Sequence, residues 1–157
     1  MNNAHLHLLV NHVSLFAVFF GGAALAVAIF RKSPELKWSA LGLFLLAGVF
    51  VWIASLTGEG AEELVEHLPG VEESLIHAHE EAGEWAQVAT TILAALSAGF
   101  FFLVRARPRW AQKALWALLV VALWTSAVLA RTAYLGGSIR HTEIRPGAST
   151  AASMDQD

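Results

Sequence analysis

Histidine is the residue type in this chain best suited to chemistry. There are seven, at positions 5, 7, 12, 67, 77, 79 and 141, in a chain of 157 residues without cysteine. A neutral imidazole ligates haem iron, and it also suits zinc, copper, iron or nickel ions. The lack of cysteine excludes disulfides, thiolate metal sites, iron–sulfur ligation, covalent c-type haem and a cysteine nucleophile. Carboxylates accompany several of the histidines, as in His79-Glu80 and His141-Thr142-Glu143, and Glu59 follows a Thr57-Gly58 corner. A carboxylate behind an imidazole fixes its tautomer and raises its basicity. His79-Glu80-Glu81-Ala82-Gly83 lacks the second histidine of a zincin, and there is no phosphate loop or nucleophile elbow. Whether the chain is an enzyme stays open on these grounds.

The elements that must position these residues are membrane spans. Hydrophobic residues make up 56% of the chain and charged ones 15%, against about 25% charged in a soluble domain. Residues 13–30, 38–56, 85–104 and 114–130 carry no Asp, Glu, Lys or Arg. Each is near the length that crosses a hydrocarbon core of about 30 Å as helix. Backbone groups in lipid must be satisfied within the segment, so the spans are helices. The sequence predicts an all-α, four-transmembrane-helix bundle over residues 1–145, with helices near 4–30, 38–56, 75–104 and 110–135. Residues 146–157, rich in Ala, Ser and Thr, read as a flexible tail.

Orientation follows from the basic residues. Arg31, Lys32 and Lys37 lie between the first two spans, and Arg105, Arg107, Arg109 and Lys113 between the last two, which is seven of ten. Residues 57–84 hold nine glutamates and no Lys or Arg. The positive-inside rule puts the two basic turns in the cytoplasm and both termini outside. The start lacks the positively charged region of a signal peptide, so cleavage is not expected. With a net charge of −3 and no basic patch, nucleic acid is not a partner; the lipid bilayer is.

All seven histidines then fall at or near the outer side. At about 1.5 Å per residue, His5, the Gly58-Glu59 corner, His79 and the stretch from Tyr134 to His141 come out at one level, the mouth of the bundle. His12 lies seven residues beyond His5, two turns deeper on nearly the same face, and His7 is rotated away from both. Helical spacing puts His79 on an apolar, small-residue face with Ala82 and Gly83, and His77 on a wet face. His67 and His77 read as solvated bystanders. Glu59, Glu62, Glu63 and Glu66 alternate with Ala61, Leu64, Val65 and Leu68, which predicts a short acidic interfacial helix over residues 59–68, with Glu59 the best placed to turn inward. Gly136-Gly137 would let the chain fold back over the mouth.

Several motifs also look familiar. His5-Leu6-His7-Leu8-Leu9-Val10-Asn11-His12, Thr57-Gly58-Glu59 with Ala61-Glu62-Glu63, His79-Glu80-Glu81-Ala82 and the Gly136-Gly137-x-Ile139-Arg140-His141-x-Glu143-Ile144-Arg145 ending resemble a family of uncharacterised bacterial four-helix integral membrane proteins. The resemblance covers nearly the whole chain and implies the same fold, an inner-membrane location with periplasmic termini, and a polar outer site. In that family Gly60 is often proline. Broadly similar families accompany Rieske-type redox domains, which implies electron transfer.

Three functions are compatible with these residues. The first is a b-type cytochrome passing electrons between a quinone and an outer partner, with non-covalent haem b held by two of His5, His12, His79 and His141. The second is an accessory subunit of a membrane complex, bound to a membrane or periplasmic partner or to itself, its acidic segment docking a basic surface and Gly21-Gly22 giving tight helix contact. The third is a divalent transition-metal site drawn from His5, Glu59, His79, Glu80, His141 and Glu143. The topology has its own check: a reporter fused at Ser33 should read cytoplasmic and one at Gly70 external.

Overall fold

The computed structural model describes residues 2–145; the tail expected at 146–157 lies outside the described residues. Four long helices, α1 (Asn3–Arg31), α2 (Pro34–Val65), α3 (Glu73–Ala106) and α4 (Ala111–Arg140), account for nearly all of it. All four are long and apolar enough to cross a membrane. Single 3₁₀ turns follow at Pro108–Trp110 and Thr142–Ile144.

Local chemistry explains the breaks. The Asn2 side chain caps α1 by accepting from the His5 backbone N–H at 3.0 Å. Lys32 ends α1 in the left-handed region, with φ 52°, and the Ser33 N–H returns to the Ala28 carbonyl. Ser33 then caps α2, with Pro34 in its first turn. Gly70, at φ +79°, turns the chain between α2 and α3. Pro108 prevents α3 from continuing.

Each helix packs against its neighbours in the cyclic order α1, α2, α3, α4, so α1 stands diagonally opposite α3. The core holds Val18, Leu25, Leu41, Phe44 and Leu93. Large apolar side chains also cover the outside: Phe20, Phe30, Leu56, Phe102 and Val120 are all exposed. A helix apolar all round belongs in lipid rather than water. Close approach comes from small residues. A Cβ on Gly21 would stand 2.7 Å from the Phe44 ring, and one on Gly48 would stand 2.6 Å from the Ala94 Cβ. Gly22 meets Ala122 at ordinary distance. The Gly21-Gly22 pair therefore serves contacts inside the bundle.

Two expectations need correction. The acidic segment is not a separate interfacial helix: α2 runs unbroken through Glu59, Glu62 and Glu63 to Val65. Gly58 and Gly60 do not break it, and Gly60 stands in close quarters that a bare backbone suits. A Cβ on Gly60 would collide with the Asn3 side chain at the start of α1. Likewise α4 continues through Gly136-Gly137 to Arg140, and the chain folds back only after that. If the Gly48–Ala94 contact sets the α2–α3 spacing, Gly48→Leu should lower stability by about 1–3 kcal/mol. Gly42→Ala, where nothing lies within 4 Å, should change it little. Thermal unfolding in detergent compares the two.

Candidate functional site

At the end of the bundle away from the basic turns, two imidazoles meet across the diagonal. His7 of α1 and His79 of α3 have ring centroids 6.4 Å apart, with their planes at 86°. Each is fixed by a neighbouring helix. His7 Nδ1 donates to the Ala54 carbonyl of α2 at 2.9 Å. His79 Nδ1 donates to the Thr132 carbonyl of α4 at 3.0 Å. A carbonyl only accepts, so both rings carry their proton on Nδ1, and in the neutral form Nε2 is left with a free lone pair. Metal-ligating histidines are held in this manner, the second nitrogen bonded to a carbonyl or carboxylate.

The surrounding residues support that pose. The Thr132 hydroxyl donates to the Ala82 carbonyl at 2.9 Å, so Thr132 and α3 grip each other in both directions. The Thr57 hydroxyl shares the Ala54 carbonyl with His7. Bare backbone flanks both rings. A Cβ on Gly136 would come within 2.8 Å of His79 Cε1, and one on Gly58 within 3.9 Å of His7 Cε1. One turn beyond His7 on the same face, Asn11 presents a buried side-chain oxygen with no hydrogen-bond partner among the described residues.

The mouth is tied over by the segment after α4. Arg145 donates to the Ser138 and Ile139 carbonyls at the end of α4, to the Gly70 carbonyl, and to Glu72 Oε1 at 2.8 Å. The Tyr134 hydroxyl donates to the Ile144 carbonyl at 3.2 Å. One guanidinium thus satisfies the final carbonyls of a helix and clamps the α2–α3 turn to it.

Of the residues singled out in the sequence, only His79 lies in this pair. His5 is exposed and bonds Asn2 Oδ1 at 2.7 Å. His12 is exposed, bonds the Leu8 carbonyl of its own helix and packs toward Phe16. His141 is exposed and meets Glu143 at 2.8 Å. The Glu143 carboxyl is held below the usual carboxylate range by its own backbone N–H and by His141. Glu80 bonds His77, which stands in solvent as its spacing suggested, and Glu59 is exposed rather than turned inward. His67 is exposed beside Glu66. Among the described residues, no three His, Asp or Glu side chains converge to hold a metal ion. The six-residue set His5, Glu59, His79, Glu80, His141 and Glu143 is therefore not gathered.

Depth alone does not separate His7 from His5 and His12. The signal was in the phase of α1. His7 falls in register with Ser14 and Gly21, both buried, whereas His5 and His12 fall in register with Phe16 and Phe19, both exposed. Comparison of the chain with protein-family models, with curated proteins and with solved structures finds no match.

Gly136→Val should drive a side chain into the His79 ring and break its bond to Thr132, whereas Gly137→Ala should be tolerated. The expected loss for Gly136→Val is about 1–3 kcal/mol, with a changed His79 imidazole signal by NMR. An unchanged His79 signal would count against the packing described.

Proposed function

We propose that this is an electron-transfer protein of the membrane, whose redox metal is held by His7 and His79 with the histidine end facing outward. The observation that carries this reading is the fixed tautomer of two facing imidazoles. Both rings donate through Nδ1 to helix carbonyls, with 6.4 Å between their centroids. Two ring nitrogens at about 2.0–2.1 Å from one metal ion require a spacing of this order. A metal with two accessible oxidation states would supply one-electron transfer.

The chain's own residues have defined tasks in this reading. The Ala54 and Thr132 carbonyls orient the ligands and keep Nδ1 protonated, which raises the basicity of Nε2. Partial burial between the four helix ends would limit water, which tunes a metal's potential. The Arg145 clamp holds the α2–α3 turn beside the mouth. The resemblance to families found with Rieske-type domains points the same way, and the seven basic residues at the opposite end support the orientation.

Two kinds of centre suit this donor pair. His7 and His79, from diagonally opposed helices, are the residues that would hold haem b. A specific observation favours a smaller centre. The His79 ring already stands close against the α4 backbone at Gly136, which leaves a macrocycle little room on that side.

The test is the visible spectrum and metal content of protein purified after haem- and metal-replete expression. His7→Ala and His79→Ala should each abolish the bound centre, and His5→Ala, His12→Ala and His141→Ala should retain it. A Soret band identifies haem; metal without one identifies the ion. Wild-type protein with neither would overturn the proposal in favour of an accessory subunit.

A further inference from the structure

On the flank of the bundle between α3 and α4, Ala82, Trp85, Trp124, Val128 and Arg131 line an open groove of about 240 Å³. Trp85 is 58% exposed and Trp124 49%, so both rings face the surroundings rather than the core. Arg131 is exposed, and among the described residues no carboxylate lies within ion-pair distance of it. A guanidinium on the lipid-facing side of a spanning helix is costly unless its charge is met.

Depth identifies what meets it. From Arg105 to Trp85 is roughly 30 Å along α3, and from Lys113 to Arg131 roughly 27 Å along α4. Those lengths match a hydrocarbon core of about 30 Å. With Arg105 and Lys113 at one interface, Trp85 and Arg131 reach the headgroup level of the opposite leaflet. Trp124 lies about 16 Å from Lys113, among the acyl chains. The groove thus has a cation and an indole at headgroup depth and an apolar wall below them.

We propose that this groove binds one phospholipid of the leaflet at the histidine end, its phosphate on Arg131 and its acyl chain along Trp124 and Val128. Arginine forks onto phosphate oxygens with two parallel hydrogen bonds. Glu81 and Glu84, exposed at the same end of α3, oppose a free anion there, so the tails as well as the charge hold the ligand. A second groove on the same flank, lined by Leu96, Gly99, Phe100, Leu103, Ala114 and Leu118 among others, contains no cation and should show no headgroup preference. The site is independent of the metal reading, although Ala82 is common to its wall and to the Thr132 clasp beside His79.

The experiment is native mass spectrometry of the full chain released from micelles. The micelles carry equal amounts of dioleoyl phosphatidylglycerol, dioleoylglycerol and a menaquinone. One phosphatidylglycerol should be retained in preference to dioleoylglycerol by about fivefold to tenfold, the scale of one arginine–phosphate contact. Arg131→Gln should remove the preference, Arg131→Lys should keep part of it, and Arg109→Gln at the basic end should leave it intact. Equal retention of dioleoylglycerol would overturn the proposal, as would undiminished preference in Arg131→Gln. So would menaquinone displacing the phospholipid from wild type but not from Trp85→Ala, which would make the groove a quinone site. Displacement by millimolar inorganic phosphate would show an anion site without lipid selectivity and overturn it equally.

Discussion

An imidazole half-buried between helix ends at the mouth of the bundle has few places to put its N–H. Left unpaired there, the group would cost several kcal/mol, and helix carbonyls are the acceptors within reach. His7 and His79 each take one, from Ala54 on α2 and Thr132 on α4. Much of the histidine end follows from those two bonds. They fix the rings side by side, with their planes at 86°, and leave a lone pair on each Nε2. The His79 ring also requires bare backbone beside it, which Gly136 provides. The Thr132 hydroxyl completes the arrangement by bonding α3 through the Ala82 carbonyl.

The same constraint governs four of the five buried hydroxyls; the fifth, Thr90 Oγ1, has no hydrogen-bond partner among the described residues. Ser97, Thr125 and Ser138 donate to carbonyls one turn back in their own helices. Ser14 reaches across to the Ala47 carbonyl of α2. These bonds let hydroxyls occupy the core without a partner from solvent. The Ser14 bond also keeps α1 and α2 close, together with Gly21 against Phe44. At the mouth, where backbone leaves the helices, Arg145 takes over the task and satisfies carbonyls from α4 and from the α2–α3 turn.

The helices were legible in the sequence because hydrocarbon thickness and charge leave a strong imprint. The charge-free runs lie within the four helices, which extend beyond most of them, and Pro34 and Pro108 stand at helix breaks. The acidic stretch was harder to read. Thr57, Gly58 and Gly60 look like a corner, yet the helix continues, and at Gly60 the Asn3 side chain stands where a side chain would go. Gly136-Gly137 misled in the same way. Glycine marks close approach as readily as a turn, and sequence alone does not say which. His79 was readable from its small apolar face. His7 was not selected, because residues at one depth are told apart only by rotation, and rotation needs the buried stripe of Ser14 and Gly21 as its reference.

The central claim is that His7 and His79 form a pair with protonated Nδ1 and bare Nε2, presented to one metal. Nitrogen-15 NMR of histidine-labelled protein in bilayers reads each ring nitrogen directly. The account predicts that His7 and His79 show this tautomer in the metal-free protein, and that adding the metal shifts their Nε2 signals together, leaving His5, His12 and His141 in place. A shift at His5, His12 or His141 without one at His7 and His79 would contradict it.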